Sequence, residues 1–113
     1  MKQVTTISVK DLNDMAAKMY DPLVKAVVDI SKKLVVVDAE MHVDEEQYLL
    51  ENGSKQDDLW GFNMFPGQFG TDRFIEFDSM INIRPRQHNN TRTVESSEIQ
   101  QQIAQIVAEI VHE

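Results

Sequence analysis

Between Leu34 and Asp44 the chain reads LVVVDAEMHVD, in which apolar and polar positions come to alternate. Successive side chains of a strand point to opposite faces, so the pattern predicts a β-strand. Val35, Val37, Ala39, Met41 and Val43 would share one face, and Asp38, Glu40, His42 and Asp44 the other. Upstream, Leu23 to Ile30 fits either a helix opened by Asp21-Pro22 or a strand. Strand is adopted, because Val24, Val27, Val28 and Ile30 are β-branched and Ser31-Lys32-Lys33 makes a polar turn into Leu34, giving an antiparallel hairpin.

Ser8 and Asp11 form a capping-box pattern ahead of Val9, Leu12, Met15, Ala16 and Met19, whose spacing predicts a helix from Val9 to about Met19. Asp44 and Gln47 suggest a second, short helix ended by Asn52-Gly53. LWGFNMF, a loop from Pro66 to Asp72, and RFIEFDSMINIR then read as a second hairpin stopped by Pro85. In its last strand Phe74, Glu76, Asp78, Met80, Asn82 and Arg84 would share a face. Arg86 to Glu95 is a polar loop. Ser96 opens a final helix in which Ile99, Ile103, Ile106, Val107, Ile110 and Val111 recur at steps of three and four. Its Gln100, Gln101, Gln102 and Gln105 side would face solvent or a second subunit. The expected architecture is α+β: a four-stranded, mainly antiparallel sheet of two hairpins with helices packed on one face, the other face being wet or covered by a partner.

At 113 residues the chain is expected to form a single domain, 1–113, and 42% apolar with 27% charged residues is ordinary for a globular protein. No apolar run is long enough to span a bilayer, and the N-terminus lacks the apolar stretch of a secretory signal. With no cysteine, disulfides, thiolate zinc sites and thiol nucleophiles are all excluded, which fits a cytoplasmic location. A net charge of −8 opposes nucleic acid as a partner. The charge is uneven: Asp38, Glu40, Asp44, Glu45, Glu46, Glu51, Asp57 and Asp58 crowd one segment against Lys55, while Arg84, Arg86 and Arg92 occupy another without an acid between them. Two such segments in one small protein are expected to face one another or to present two different surfaces.

Asp38, Glu40 and His42 stand at two-residue steps, so they are the candidate ligands of a divalent metal, with Glu76 or Asp78 arriving from a neighbouring strand. One imidazole among carboxylates suits Zn²⁺, Mn²⁺ or Fe²⁺, whose bound water would be a nucleophile near neutral pH. His42 oriented by Glu40 or Asp38 could equally act as a general base. The plain alternative is a solvated sheet face whose carboxylates pair with Lys25, Arg73 or Arg84. Arg84, Arg86, His88 and Arg92 form a basic cluster able to grip a carboxylate or phosphate, or simply solvated. Trp60-Gly61 with Asn63 is distinctive, Trp60 being either core or a stacking surface for a ligand. No serine lies in a nucleophile elbow, and no glycine-rich phosphate loop is present.

The words DAEMHVDEE, GSKQDDLWGFN and SMINIRPRQHN, in this order and spacing, resemble an uncharacterised family of short prokaryotic proteins known as a domain of unknown function. The likeness runs from about Val24 to the final helix and implies a complete stand-alone protein; it brings no activity, cofactor or catalytic residue. Two readings therefore stand. One is a small cytoplasmic homo-oligomeric interaction or ligand-binding protein, taking a small molecule on a polar sheet face of Asp38, Glu40, His42, Glu76, Asp78, Asn82, Arg84, Arg86 and Trp60. The other is a divalent-metal-dependent hydrolase using the same site, with Asp38, Glu40 and His42 as the metal ligands. Neither calls for a membrane or a nucleic acid.

Overall fold

The structure, a computed structural model, describes residues 1–19 and 21–113. Among these, the elements run β1 (Lys2–Val4), β2 (Ile7–Ser8), α1 (Val9–Ala16), β3 (Val24–Asp29), β4 (Leu34–Val37), α2 (His42–Glu51), β5 (Leu59–Met64), β6 (Ile75–Glu76), α3 (Ser97–Ile110) and β7 (Val111–His112). The fold is α+β, as expected. The sheet, however, has five strands in the order β1-β4-β3-β5-β6, and β2 and β7 form a separate parallel pair. Every pairing within the five-stranded sheet is antiparallel.

The first hairpin forms as expected, with Val28 opposite Val35 and Asp29 opposite Leu34. Its turn is built by Asp29, whose buried carboxylate accepts from the backbone N–H of Ser31 and Lys32 and from the Ser54 hydroxyl. β1 was not foreseen, since a three-residue strand carries no readable period; it pairs along β4, Lys2 opposite Val37. α1 is capped by Ser8, which accepts from Asp11 N at 3.1 Å, but it closes at Ala16 rather than Met19. α3 is capped by Ser96 and ends before Val111, which leaves the helix to pair with Ile7.

Helices cover both faces of the sheet, not one. Leu12, Met15 and Ala16 of α1 and Ile103, Ile106, Val107 and Ile110 of α3 close over Val24, Ala26, Val28, Val35, Val37, Trp60, Phe62 and Met64. On the opposite face, Leu49 of α2 packs on Val27, Val36 and Leu59. Fully burying side chains of this size is worth roughly 1.5–3 kcal/mol each, so both layers are firmly held. Gln101, Gln102 and Gln105 stay exposed along α3, whereas Gln100 turns back to donate to the Val94 carbonyl at 2.6 Å.

The second hairpin departs furthest from expectation. Of the strand predicted over 73–84, only Ile75 and Glu76 pair with β5. Beyond them the chain coils through a short 3-10 turn at Met80–Asn82, capped by Ser79. Phe74, Glu76, Asp78, Met80, Asn82 and Arg84 therefore share no face: Phe74, Asn82 and Arg84 are buried while Met80 is exposed. Gly61 explains the departure. An added Cβ there would lie 2.6 Å from Ser79 Cβ, so the bare glycine lets the coiled segment press onto β5. Asn82 then fills the open edge of the strand: its amide oxygen accepts from Gly61 N at 2.8 Å and its amide nitrogen donates to Gly61 O at 2.9 Å. One side chain thus supplies the donor and acceptor that a neighbouring strand would have provided.

Candidate functional site

The alternation that predicted a strand to Asp44 breaks at Asp38, whose φ of 68° is left-handed. Aspartate tolerates that conformation better than most residues, but a ladder does not continue through it. The strand stops at Val37, the next four residues form a connection, and His42 becomes the first residue of α2. The helix start predicted at Asp44 is thus too late. Met41 is the N-cap and has no side-chain cap bond; in its place Glu45 reaches back and accepts from Ala39 N at 3.2 Å. The C-terminal end is as expected, with Asn52 as cap and Gly53 at φ 97°.

Helical rather than strand spacing now decides what faces the sheet. His42, Glu45, Glu46 and Leu49 recur at steps of three and four and turn inward, while Val43 and Asp44 face outward and are exposed. Three of these four inner positions carry titratable groups. Burial raises the Glu45 carboxyl to about 10, so it is neutral near pH 7, and its Oε1 has no hydrogen-bond partner. Burial also raises Glu46, partly offset by the Arg84 guanidinium.

Asp38, Glu40 and His42 are not brought together. Asp38 forms an ion pair with Lys18 at 3.7 Å, Glu40 is exposed with its carbonyl accepting from Lys25 Nζ at 2.8 Å, and His42 lies under the helix. Among the described residues no group of three His, Cys, Asp or Glu side chains could hold a metal ion. The metal-dependent hydrolase thereby loses the ligand set on which it rested.

The anion-gripping cluster disperses as well. Arg84 is buried, stacked 4.3 Å from the Trp60 ring centroid, and donates to the carbonyls of Gln56 and Leu59. Arg86 pairs with Asp57 at 2.6 Å, Arg92 pairs with Asp78, and His88 is an exposed residue at φ 60°. Arg84, Trp60 and Asn82 are therefore packed inside the fold, and Arg86 lies in an exposed ion pair. The acidic and basic segments do face one another, through Arg86 and Asp57 and through Arg84 and Glu46.

Three predicted residues do converge. His42, Glu76 and Asp78 line a cleft of about 430 Å³ together with Lys25 and Asn63 from the sheet, Asp21 and Arg92 at its rim, and the apolar Pro22, Leu23 and Phe65. A volume of this order suits a small molecule. His42 Nε2 lies 2.8 Å from the Phe62 carbonyl oxygen. A carbonyl only accepts, so Nε2 carries the proton and Nδ1 is left as the acceptor of the neutral ring. Burial holds the imidazole below its ordinary 6.5, against the opposing pull of the Phe62 carbonyl and of Asn63. The Asn63 amide nitrogen donates to Glu76 Oε1 at 3.0 Å and to the Asp78 carbonyl at 3.2 Å, while its buried amide oxygen has no partner.

Glu40 lines a smaller adjoining hollow that shares Asp21, Leu23 and Lys25 with the cleft. A larger groove runs along α3, but its polar walls are the exposed Gln101, Gln102, Gln105, Glu98 and Glu109, of which Gln105 and Glu109 are joined by an exposed hydrogen bond at 3.1 Å. Lys25 and Asn63 were missed as site residues. Asn63 did carry a signal: a lone amide in the otherwise apolar run LWGFNMF must find partners when buried.

The family model described as a protein of unknown function (DUF5674) matches residues 3–110, nearly the whole chain, and the chain belongs to that family. No curated protein and no solved structure matches it. Among the described residues no helix is long and apolar enough to cross a membrane.

Proposed function

We propose that this member of the DUF5674 family binds a small polar molecule in the cleft at the start of α2. The observation that carries the reading is the fixed imidazole of His42. Its Nε2–H is committed to the Phe62 carbonyl at 2.8 Å, so a neutral acceptor is held ready in a cleft where Glu76 and Lys25 also converge. Pre-orienting a group in this way lowers the cost of binding, because its rotamer is already paid out to the fold. The apolar side, formed by Pro22, Leu23 and Phe65, supplies area for the carbon skeleton.

Thermal melting against a panel of small polar anions, cations and neutral compounds tests the reading. A ligand present at tenfold excess over its Kd stabilises by about 1.4 kcal/mol, a rise of roughly 5–10 °C for a protein of this size. Glu76 is exposed on a two-residue edge strand, and Glu76→Gln keeps an acceptor for the Asn63 amide, so this variant leaves the fold intact and is expected to reduce the rise. A panel without a single stabilising compound, or a rise undiminished in Glu76→Gln, contradicts the proposal.

A further inference from the structure

We infer that the molecule held in this cleft is a small organic cation, a guanidinium or ammonium group on a short carbon chain; the inference rests on the binding role proposed above. The argument is a matching of donors and acceptors. Of the cleft's two cations, Arg92 is paired, its Nε 2.7 Å from Asp78 Oδ1 with a second bond to Oδ2, and Lys25 Nζ is turned to the Glu40 carbonyl at 2.8 Å, which uses one of its three donors. The acceptors are freer. His42 offers Nδ1, since Nε2 is spent on Phe62. Glu76 uses only Oε1, toward Asn63, and among the described residues Oε2 has no hydrogen bond.

Asn63 is the second observation. Only 5% exposed and lining the cleft beside the His42 ring, it keeps an amide oxygen without a donor while the ring's proton is held by Phe62. A buried amide oxygen without a donor costs about 1–3 kcal/mol, and an N–H-rich ligand is the kind of molecule that would relieve it. Charge points the same way. Asp21, Glu76 and Asp78 outnumber Lys25 and Arg92 at the site, and the chain's net charge of −8 adds a long-range attraction for cations. An anion would meet Glu76 and Asp21 with Arg92 already paired to Asp78 and only the single ammonium of Lys25 to hold it, without a two-point grip.

The test uses n-butylguanidinium, n-butylammonium, butyrate and butyramide as probes of the whole protein at pH 7 and constant ionic strength. The readout is the NMR shift of the Asn63 side-chain amide and the His42 ring nitrogens. Both cations are expected to shift these signals saturably in the millimolar range, and Glu76→Gln, which keeps an acceptor for Asn63 but removes the charge, is expected to weaken them about tenfold. Butyrate and butyramide should leave the signals in place. Cations that produce no saturable shift, or that bind Glu76→Gln as tightly as the wild type, overturn the inference. If butyrate or butyramide binds instead, the cation assignment fails while the cleft stands as a binding site; if the melting panel also yields nothing, both fail together.

Discussion

Asn82→Ala is expected to destabilise the protein by about 3–5 kcal/mol and to lower its melting temperature by roughly 15–30 °C, a large part of the total for a chain of this length. The mutation strands two buried backbone groups at once. Gly61 loses the acceptor for its N–H and the donor to its carbonyl, and the Arg92 carbonyl loses one of its two donors, keeping Ser79 N at 3.0 Å. Each unpaired buried group costs about 1–3 kcal/mol, and water cannot replace the amide without opening the segment that Gly61 allows to pack so closely. Met80→Ala, two residues away at a side chain 64% exposed, is the control and should change stability by less than about 0.5 kcal/mol. Chemical denaturation of the two variants gives the comparison; a loss below about 1 kcal/mol in Asn82→Ala would show that the edge of β5 is held by something else.

Glu45→Gln should do the opposite and stabilise the protein at pH 7, by about 3 kcal/mol. The folded carboxyl stays protonated up to about 10, whereas in the unfolded chain it ionises near its ordinary 4.5. Folding at pH 7 therefore takes up a proton, at a cost of about 1.4 kcal/mol for each pH unit above the unfolded value. The sign follows: the stability that the neutral carboxyl confers is complete below about 4.5 and is lost as pH rises toward 10. Glutamine retains an acceptor for Ala39 N without a proton to bind, so the stability of the variant should be flatter across this range. His42 acts from the other side. Its folded pKa is lowered, so its contribution is complete above 6.5 and declines as pH falls through the folded value. Urea denaturation between pH 5 and 9 reads both effects. A wild type whose stability does not decline with alkaline pH, or a Glu45→Gln variant less stable at pH 7, would place a charged carboxylate at this position.

The first hairpin, α1 and α3 were legible because each rests on local chemistry: β-branched runs on either side of a polar turn, and serine caps ahead of apolar residues at helical spacing. The segment after Val37 was misread because two periods coexist there. Alternation from Asp38 to Asp44 is real in the sequence, yet His42, Glu45, Glu46 and Leu49 also form a helical stripe, and that stripe contains one apolar residue among four. A helix that buries two glutamates and half-buries a histidine violates the hydrophobic pattern from which helices are recognised. Tertiary packing against Val27, Val36 and Leu59 overrides the local preference.

The coiled segment after Glu76 was hidden for a different reason, since its alternation also reads as a strand. What stops the strand is the gap at Gly61 and the side chain of Asn82, a pairing of positions far apart in sequence that no local pattern encodes. The same limit applied to the site. His42, Glu76 and Asp78 were identified by residue type, and they do line one cleft, but from α2, β6 and the coil after it, beside Lys25 and Asn63 instead of along one strand. Asp38 and Glu40 were grouped with them by a register that ends at Val37.

The state of the His42 ring is the foundation of the binding account, and long-range ¹H–¹⁵N correlation of the imidazole nitrogens from pH 4 to 8 reads it directly. The predicted spectrum shows a neutral ring protonated on Nε2 at pH 7, with a titration midpoint below 6.5. A ring protonated on Nδ1, or one that is already cationic at pH 7, would leave the cleft without its fixed acceptor and contradict the account.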